Sequence, residues 1–182
     1  MQSTRDADIL EACRLGDRTA FNLLVRTHQE RVFHVIKRIV TDSDDALDIA
    51  QEVFIKAFEK VSEFRGDAQI FTWLYRIAVN LSLNHLRKTK LKTFFRLDDD
   101  HRELPDASPT PSGIVERDEL RNLVQQAVEK LPHKQKAVFV LRYFEELSYE
   151  EISAILKTSI GGLKANYHHA VKKIESHVKA QM

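Results

Sequence analysis

The positions of helix-breaking residues constrain this sequence more than any other feature. Three of its four prolines, Pro105, Pro109 and Pro111, lie within seven residues, and the chain contains only five glycines. Proline and glycine interrupt helices, so their scarcity elsewhere favours long helices and argues against the many turns of an all-β fold. We therefore predict an all-α protein with two small helical domains, residues 1–92 and 118–182, joined by an extended acidic linker over 93–117.

Apolar residues recur at helical spacing through the first domain. Over 18–40 they follow i, i+3, i+4, i+7 for more than five turns, which indicates an amphipathic helix. Similar patterns predict further helices over 5–16, 42–61 and about 68–92. Asp42 is a candidate N-cap, and Phe58 belongs to the stripe expected to face the core.

The second domain is predicted to end in a helix-turn-helix. Two helices come first, over 115–130 and 133–145. Ser148 and Glu151 then match a capping box that opens a short helix. After a turn over 157–159, a basic final helix has inward positions at Ile160, Leu163, Tyr167, Ala170, Val171 and Ile174. Two helices joined by so tight a turn are typical of proteins that insert the second helix into the major groove of DNA.

The other positions of this final helix carry groups suited to DNA. Lysines neutralise phosphates, asparagine can hydrogen-bond adenine, and the amides near Gly161 could receive a backbone phosphate. The candidate DNA-binding residues are Gly161, Lys164, Ala165, Asn166, His168, His169, Lys172 and Lys173. The alternative is a solvated basic face. No metal site is expected, because adjacent residues such as His168 and His169 point about 100° apart on a helix.

A second candidate nucleic-acid surface lies on the predicted helix over 68–92. Six bases and no acid occur from Arg76 to Arg96. Trp73 and Tyr75 lie at the start of this region, where aromatic rings could stack on the bases of melted DNA. The polar residues that share one face of this helix are Asn80, Asn84 and Arg87. The alternative is ordinary core packing beneath a solvated basic face.

An acidic block over 42–52 suggests a protein-docking face. It contains five acids and no base. Carboxylates at i, i+4 and i+8 lie along one helix surface and suit a basic partner, whereas a metal site is disfavoured because no His or Cys lies among them. The chain shows no nucleophile–base pair, glycine-rich phosphate loop or zinc motif. We therefore expect neither an enzyme nor a cofactor.

The N-terminal segment and the hydropathy favour a cytoplasmic protein without membrane insertion. Acids stand where a signal peptide would be apolar, and no run of roughly 18 uncharged apolar residues is present. The single cysteine, Cys13, excludes internal disulfides.

Three stretches of the chain resemble bacterial sigma factors. Residues 45–57, DALDIAQEVFIKA, resemble sigma region 2.2, and residues 64–80, from FRGD to FTWLYRIAVN, resemble regions 2.3 and 2.4. Leu131-Pro132, the run LSYEEI over 147–152 and the final helix resemble region 4. A chain holding only these two regions is similar to the extracytoplasmic-function (ECF) class.

The resemblance implies a subunit of bacterial RNA polymerase that recognises and melts promoters. It implies that core polymerase contacts Asp45, Asp48, Gln51, Glu52 and Phe54. It implies that the −10 element contacts Phe64, Arg65, Asp67, Trp73, Arg76, Asn80, Asn84, Arg87 and Lys88. The final helix would read the −35 element, and an anti-sigma protein is an expected partner.

The final helix departs from the pattern of many relatives. Gly162, Ala165 and Asn166 stand where Thr, Ser and Arg are frequent, which leaves the −35 sequence open. Two rival functions also stay open at this point. One is a helix-turn-helix regulator that acts without polymerase, and the other is an interaction or decoy protein that does not bind DNA.

Overall fold

The computed structural model describes residues 2–64, 69–96 and 115–181, and within them eight α-helices and no strand. The helices are α1 Gln2–Arg14, α2 Arg18–Val40, α3 Ser43–Lys60, α4 Ile70–Arg96, α5 Val115–Glu129, α6 His133–Phe139, α7 Tyr149–Leu156 and α8 Ile160–Lys179. A 3-10 turn, Val61–Glu63, follows α3, and a π-helical turn, Val140–Phe144, follows α6. The all-α fold predicted from the sequence is confirmed.

Short polar side chains set the starts of the helices that carry the predicted sites. Asp42 accepts hydrogen bonds from the amides of Asp44 and Asp45, both at 2.9 Å, and so begins α3. The hydrogen bond from the Asp45 amide lowers the pKa of the Asp42 carboxyl. Because the exposed amides at a helix N-terminus attract negative charge, the acids at the start of α3 favour this helix as well as its acidic surface.

Helix α4 differs in length from the helix predicted over 68–92. It begins at Ile70 and ends at Arg96, four residues into the predicted linker, because residues 93–96 contain no proline or glycine. Helix α5 begins at Val115, also within the predicted linker. The remainder of that segment, with its three prolines, lies outside the described residues.

The apolar stripes of α2, α3 and α4 pack against one another and bury a contiguous core. Its members include Leu24, Ile36, Val53 and Leu74, each fully buried. The same cluster continues through α6 and α7 to Leu163 of α8. A second cluster joins α5, α6 and α8. The two predicted domains therefore share one apolar core where α4 meets α7.

Local chemistry accounts for the helix-turn-helix. The capping box is present: Ser148 Oγ accepts from the Glu151 amide at 3.2 Å, and Glu151 Oε2 accepts from the Ser148 amide at 2.8 Å. Lys157 ends α7 with φ of 53°, and Ser159 caps α8 by accepting from the Gly162 amide at 3.3 Å. These caps hold α8 at a defined angle to α7.

Two residues predicted to face the core are exposed instead. Phe58 is 51% exposed because the apolar stripe of α3 is wider than the surface that its neighbours cover, and its ring meets that of Phe21 on α2 edge-on. Ile160 is exposed because the apolar core reaches α8 only from Leu163 onward. None of the described helices combines the length and apolar character needed to cross a bilayer.

Candidate docking and nucleic-acid surfaces

The five residues predicted to contact polymerase lie on α3, and we call them the docking surface: Asp45, Asp48, Gln51, Glu52 and Phe54. Three of them, Asp48, Gln51 and Glu52, are exposed, and Phe54 is half-buried. Asp45 is held by His85 of α4, with 3.0 Å between Oδ2 and Nε2. Glu52 lies 3.4 Å from Lys56 one turn later. The exposed carboxylates of the docking surface are therefore Asp48 and Glu52, the latter beside Lys56.

An apolar groove between α2 and α3 adjoins this negative charge. Its apolar lining is Phe21, Val25, Phe33, Leu47, Ala50, Phe54, Ile55 and Phe58. Leu47, Ile55 and Phe58 are exposed large apolar residues, which soluble proteins rarely group on a free surface. Sequence reasoning missed this groove. The available signal was that Leu47 and Ile55 fall outside the stripe that α3 turns toward the core.

The predicted −10 residues of α4 divide into an exposed group and a covered group. Asn80, Asn84, Arg87 and Lys88 are exposed along the C-terminal part of the helix. Their surroundings are positive, as the pKa of His133 on α6 indicates. Burial lowers this pKa most, and the nearby positive charges of Lys136, Lys90 and Arg87 lower it further. The exposed group thus offers amides and guanidinium or ammonium groups in a positive field, which suits a nucleic-acid backbone.

The covered group lies just before α4, at Phe64, and in its first turns. Phe64 is buried, and its ring centroid lies 5.0 Å from that of Trp73, which is half-buried. Arg76 donates from Nε and Nη2 to the carbonyl oxygen of Ala154 on α7, at 3.1 and 2.7 Å. Two further predicted −10 residues, Arg65 and Asp67, lie outside the described residues.

Tyr75 does not match the expectation that it stacks on DNA. Its side chain is 1% exposed, and its hydroxyl donates to Glu145 Oε2 at 2.7 Å. Burial raises the pKa of the Tyr75 hydroxyl, and the hydrogen bond to Glu145 raises it further. The ring is covered because α4 packs against the C-terminal half of the chain, a contact that a helical pattern does not reveal.

The outward face of α8 matches the face predicted from its periodicity. Gly161, Lys164, Ala165, His168, His169, Lys172 and Lys173 are exposed, while Leu163, Ala170 and Ile174 are buried. Asn166 is half-buried and donates from Nδ2 to the Gly162 carbonyl at 2.8 Å, which uses one of its two N–H donors. The face carries lysine and imidazole side chains together with the small residues Gly161 and Ala165.

Metal-binding geometry is not present at the histidines of α8 within the described residues. The rings of His168 and His169 are tilted by 58°, with centroids 6.0 Å apart. No group of three His, Cys, Asp or Glu side chains in the described ranges is arranged to hold an ion.

Each half of the chain matches a known protein family model. The family model described as sigma-70 region 2 matches residues 24–91, and the model described as sigma-70, region 4 matches residues 121–174. The RNA polymerase sigma-H factor of Pseudomonas aeruginosa is 34% identical over 94% of this chain and 92% of that protein. The ECF RNA polymerase sigma-E factor of Escherichia coli K12 is 35% identical over 96% of this chain and 94% of that protein.

A solved structure shares the fold. The sigma factor RpoE of Bartonella quintana, solved in complex with the anti-sigma factor NepR, superposes with a TM-score of 0.69 at 19% identity, covering 89% of this chain and 98% of that one. That likeness shows the architecture, and the two curated relatives carry the family relationship across nearly the whole length. The chain belongs to the extracytoplasmic-function sigma factors and is an alternative sigma factor for transcription initiation.

Proposed function

We propose that this sigma factor docks on bacterial core RNA polymerase through α3, reads a −35 element with α8, and captures and melts a −10 element with α4. The observation that carries this proposal is the division of α8 into a buried apolar side and an exposed side of lysine, histidine and small residues. A recognition helix needs that division, because one face must hold the fold while the other enters the groove.

The docking surface and the groove beside it support the contact with polymerase. Exposed carboxylates at Asp48 and Glu52 would steer a basic partner to α3, and the adjoining apolar groove would supply buried area once the partner arrives. The relatives in P. aeruginosa and E. coli are both named RNA polymerase sigma factors, which makes core polymerase the proposed partner.

The outward face of α8 supports recognition of duplex DNA. The proposed −35 contacts are Gly161, Lys164, Ala165, Asn166, His168, His169, Lys172 and Lys173. Lysines there would neutralise phosphates, Ala165 would meet a thymine methyl group, and Asn166 Oδ1 would accept from a base amino group.

Helix α4 and the segment before it are the proposed surface for melted DNA. The proposed contacts are Phe64, Arg65, Asp67, Trp73, Arg76, Asn80, Asn84, Arg87 and Lys88. Asn80 is exposed and could hydrogen-bond the edge of an extruded base, and the free part of Trp73 offers a stacking surface. Phe64 would act by supporting the Trp73 ring, with which it packs.

Three further properties belong to this proposal. An anti-sigma protein is a proposed partner, by extension from the B. quintana sigma factor, which was solved bound to one. Sigma factors are a family of non-catalytic transcription factors, and we propose no enzymatic activity for this chain. We also propose that it acts in the cytoplasm, where its proposed polymerase partner is found.

Run-off transcription tests the proposed function. The protein is added to bacterial core polymerase with a library of templates randomised upstream of a fixed start region, and the transcripts are sequenced. We expect products that share a two-part motif, because α4 and α8 would each read one element. Core polymerase alone and core with an unrelated sigma factor are the controls.

Two outcomes would contradict the proposal in different ways. Binding to core without any specific transcript would favour an interaction or decoy role. No binding to core would remove the polymerase partner and favour a helix-turn-helix regulator that acts alone.

A further inference from the structure

The two halves of the chain meet at Glu145, a carboxylate that the proposed surfaces do not use. Its side chain is 8% exposed. Oε1 lies 2.9 Å from Nη1 of Arg38 on α2, and Oε2 accepts from the Tyr75 hydroxyl of α4 at 2.7 Å. Arg31 on α2 adds a second positive charge, with Nη2 3.9 Å from Oε2. One carboxylate from the C-terminal half thus joins two helices of the N-terminal half.

The neighbouring groups hold Glu145 in this position. The guanidinium of Arg38, which pairs with Glu145, also packs on Phe144, whose ring centroid lies 4.6 Å away. Glu146 adopts a φ of 55°, and the Leu147 amide then bonds the Leu141 carbonyl at 3.1 Å, which turns the chain sharply after the π-helical turn. A carboxylate removed from water in this way needs both oxygens satisfied, and here both are.

A second contact joins the halves on α4. Arg76 gives two N–H groups to the Ala154 carbonyl of α7, so these donors are occupied within the protein. Asn80, Asn84, Arg87 and Lys88 farther along α4 stay exposed. The contact between the two halves therefore covers the start of α4. The remainder of α4 and the outward face of α8 stay exposed.

We propose that Glu145, Arg38 and Tyr75 form a latch that closes the two halves of the free protein on each other, and that closure withholds Arg76 from promoter DNA. The latch itself depends on no assumption about DNA, whereas its effect on promoter binding rests on the proposed function. Release of the latch exposes Tyr75 and frees the donors of Arg76 together, because both residues lie on the same part of α4.

Loss of the latch should open the protein without unfolding either half. Arg38 and Arg31 have side chains that are 35% and 58% exposed, so both guanidiniums can turn to water when the carboxylate is removed. Glu145 belongs to neither apolar cluster. The variants Glu145→Ala and Arg38→Gln are therefore expected to keep the helical content. Because the apolar contact between α4 and α7 also joins the halves, each variant should shift the balance from closed toward open molecules.

The distance between the halves tests the latch directly. Nitroxide labels are placed on the exposed positions 59 of α3 and 175 of α8, by Glu59→Cys and Glu175→Cys in a Cys13→Ala background, and pulsed electron resonance gives the distance distribution. We expect one narrow distribution for the otherwise unchanged protein. Glu145→Ala and Arg38→Gln should each broaden it toward longer distances and lower the ratio of closed to open molecules at least tenfold. Glu150→Ala, at an exposed position of α7, should leave it unchanged.

A second measurement follows the availability of Arg76. Modification by phenylglyoxal, read by peptide mass spectrometry, should be at least fivefold faster at Arg76 in Glu145→Ala than in the unchanged protein. Arg87, exposed on the same helix, should react at the same rate in both. Circular dichroism confirms that each variant is folded before these rates are compared.

The outcomes separate the latch from the proposed function. A broad distribution in the unchanged protein, or a narrow one that persists in both variants, would overturn the latch whatever the transcription assay shows. If the two variants open as expected but run-off transcription fails, the proposed function is overturned and the latch stands. Neither the distance measurement nor the modification uses DNA or polymerase.

Discussion

Gly161 and Gly162 are adjacent at the start of α8, yet they meet different surroundings. A Cβ at Gly162 would lie 3.2 Å from Ser159 Oγ and 3.3 Å from Thr158 Cγ2, so the turn leaves little space there. A Cβ at Gly161 would meet no atom within 4 Å. The protein's own packing therefore explains Gly162, while the open space at Gly161 is available to a ligand.

This difference gives a prediction at Gly161. Gly161→Ala should leave the fold intact, or stabilise α8 by up to about 1 kcal/mol, since alanine is the better helix former. If a DNA phosphate approaches the amides there, the added methyl group should weaken binding of a −35 duplex by about tenfold, roughly one hydrogen bond to a charged group. Fluorescence anisotropy with core polymerase present measures the affinity, and undiminished binding would contradict the assignment of Gly161.

Tyr75 makes the stability of the protein sensitive to alkaline pH. Its pKa is raised by burial and by Glu145, whereas the unfolded chain has the ordinary value of about 10. Stability from the neutral hydroxyl is fully present below pH 10 and is lost as the pH rises above it, because the unfolded state then releases a proton that the folded state keeps.

We expect Tyr75→Phe to remove this dependence. At pH 8 the variant should be less stable by about 1 kcal/mol, because Glu145 loses a hydrogen bond. Above about pH 10 the difference should shrink and reverse, since only the unchanged protein is penalised. Urea unfolding of both proteins at pH 8, 10 and 11 measures the difference, and other groups such as Lys136, whose pKa burial lowers, cancel in the comparison. A constant difference across this range would contradict the prediction.

At the scale of elements, α3 presents two kinds of surface side by side. Its first turns carry the carboxylates of the docking surface, and its outer edge forms one wall of the apolar groove. Charge acts over roughly 8–10 Å at moderate salt and guides encounter, whereas apolar area acts only on contact. The two parts of α3 should therefore respond differently to salt.

Charge reversal tests the first part. Asp48→Lys combined with Glu52→Lys should weaken core polymerase binding at least tenfold at low salt, with a smaller effect at high salt as screening increases. Asp8→Lys combined with Glu11→Lys makes the same change in net charge on exposed positions of α1 and should have little effect. Binding is measured by surface plasmon resonance at several salt concentrations. Equal losses for both pairs would contradict docking through α3.

At the scale of the whole molecule, one chain carries the two elements that we propose read DNA, α4 and α8. Linking weak sites raises the effective concentration of the second once the first has bound, so affinity depends on both acting together. In the proposed mechanism, occupation of the −35 site by α8 and capture of melted DNA by α4 are nevertheless separate steps. A change confined to α4 should therefore affect opening more than binding.

We expect Asn80→Ala, alone and with Trp73→Ala, to separate these steps. Permanganate reactivity of unpaired thymines should fall several-fold, while footprints over the −35 element should persist, since α8 is unchanged. Asn122→Ala, an exposed asparagine on α5, is the matched control. The double variant also requires a thermal melt, because Trp73 packs on Phe64. Equal loss of both signals would contradict a role confined to melting.

Sequence periodicity alone determined the helices, the helix-turn-helix and the outward face of α8. These features depend on contacts between residues a few positions apart, such as the Ser148–Glu151 capping box and the stripe from Leu163 to Ile174. The expected acidic face of α3 followed from the same local spacing.

Only the tertiary structure decided which of the remaining residues are covered. Tyr75, Arg76 and Asn80 all lie on α4, and local periodicity does not distinguish them. Tyr75 is covered because its hydroxyl bonds Glu145, seventy residues away, and Arg76 because it bonds the Ala154 carbonyl of α7. The groove at Phe58 likewise depends on α2, whose Phe21, Val25 and Phe33 form its other wall. Helical periodicity tells which residues can share a face, but burial depends on the partner that covers that face, and in this protein the partners lie far along the chain.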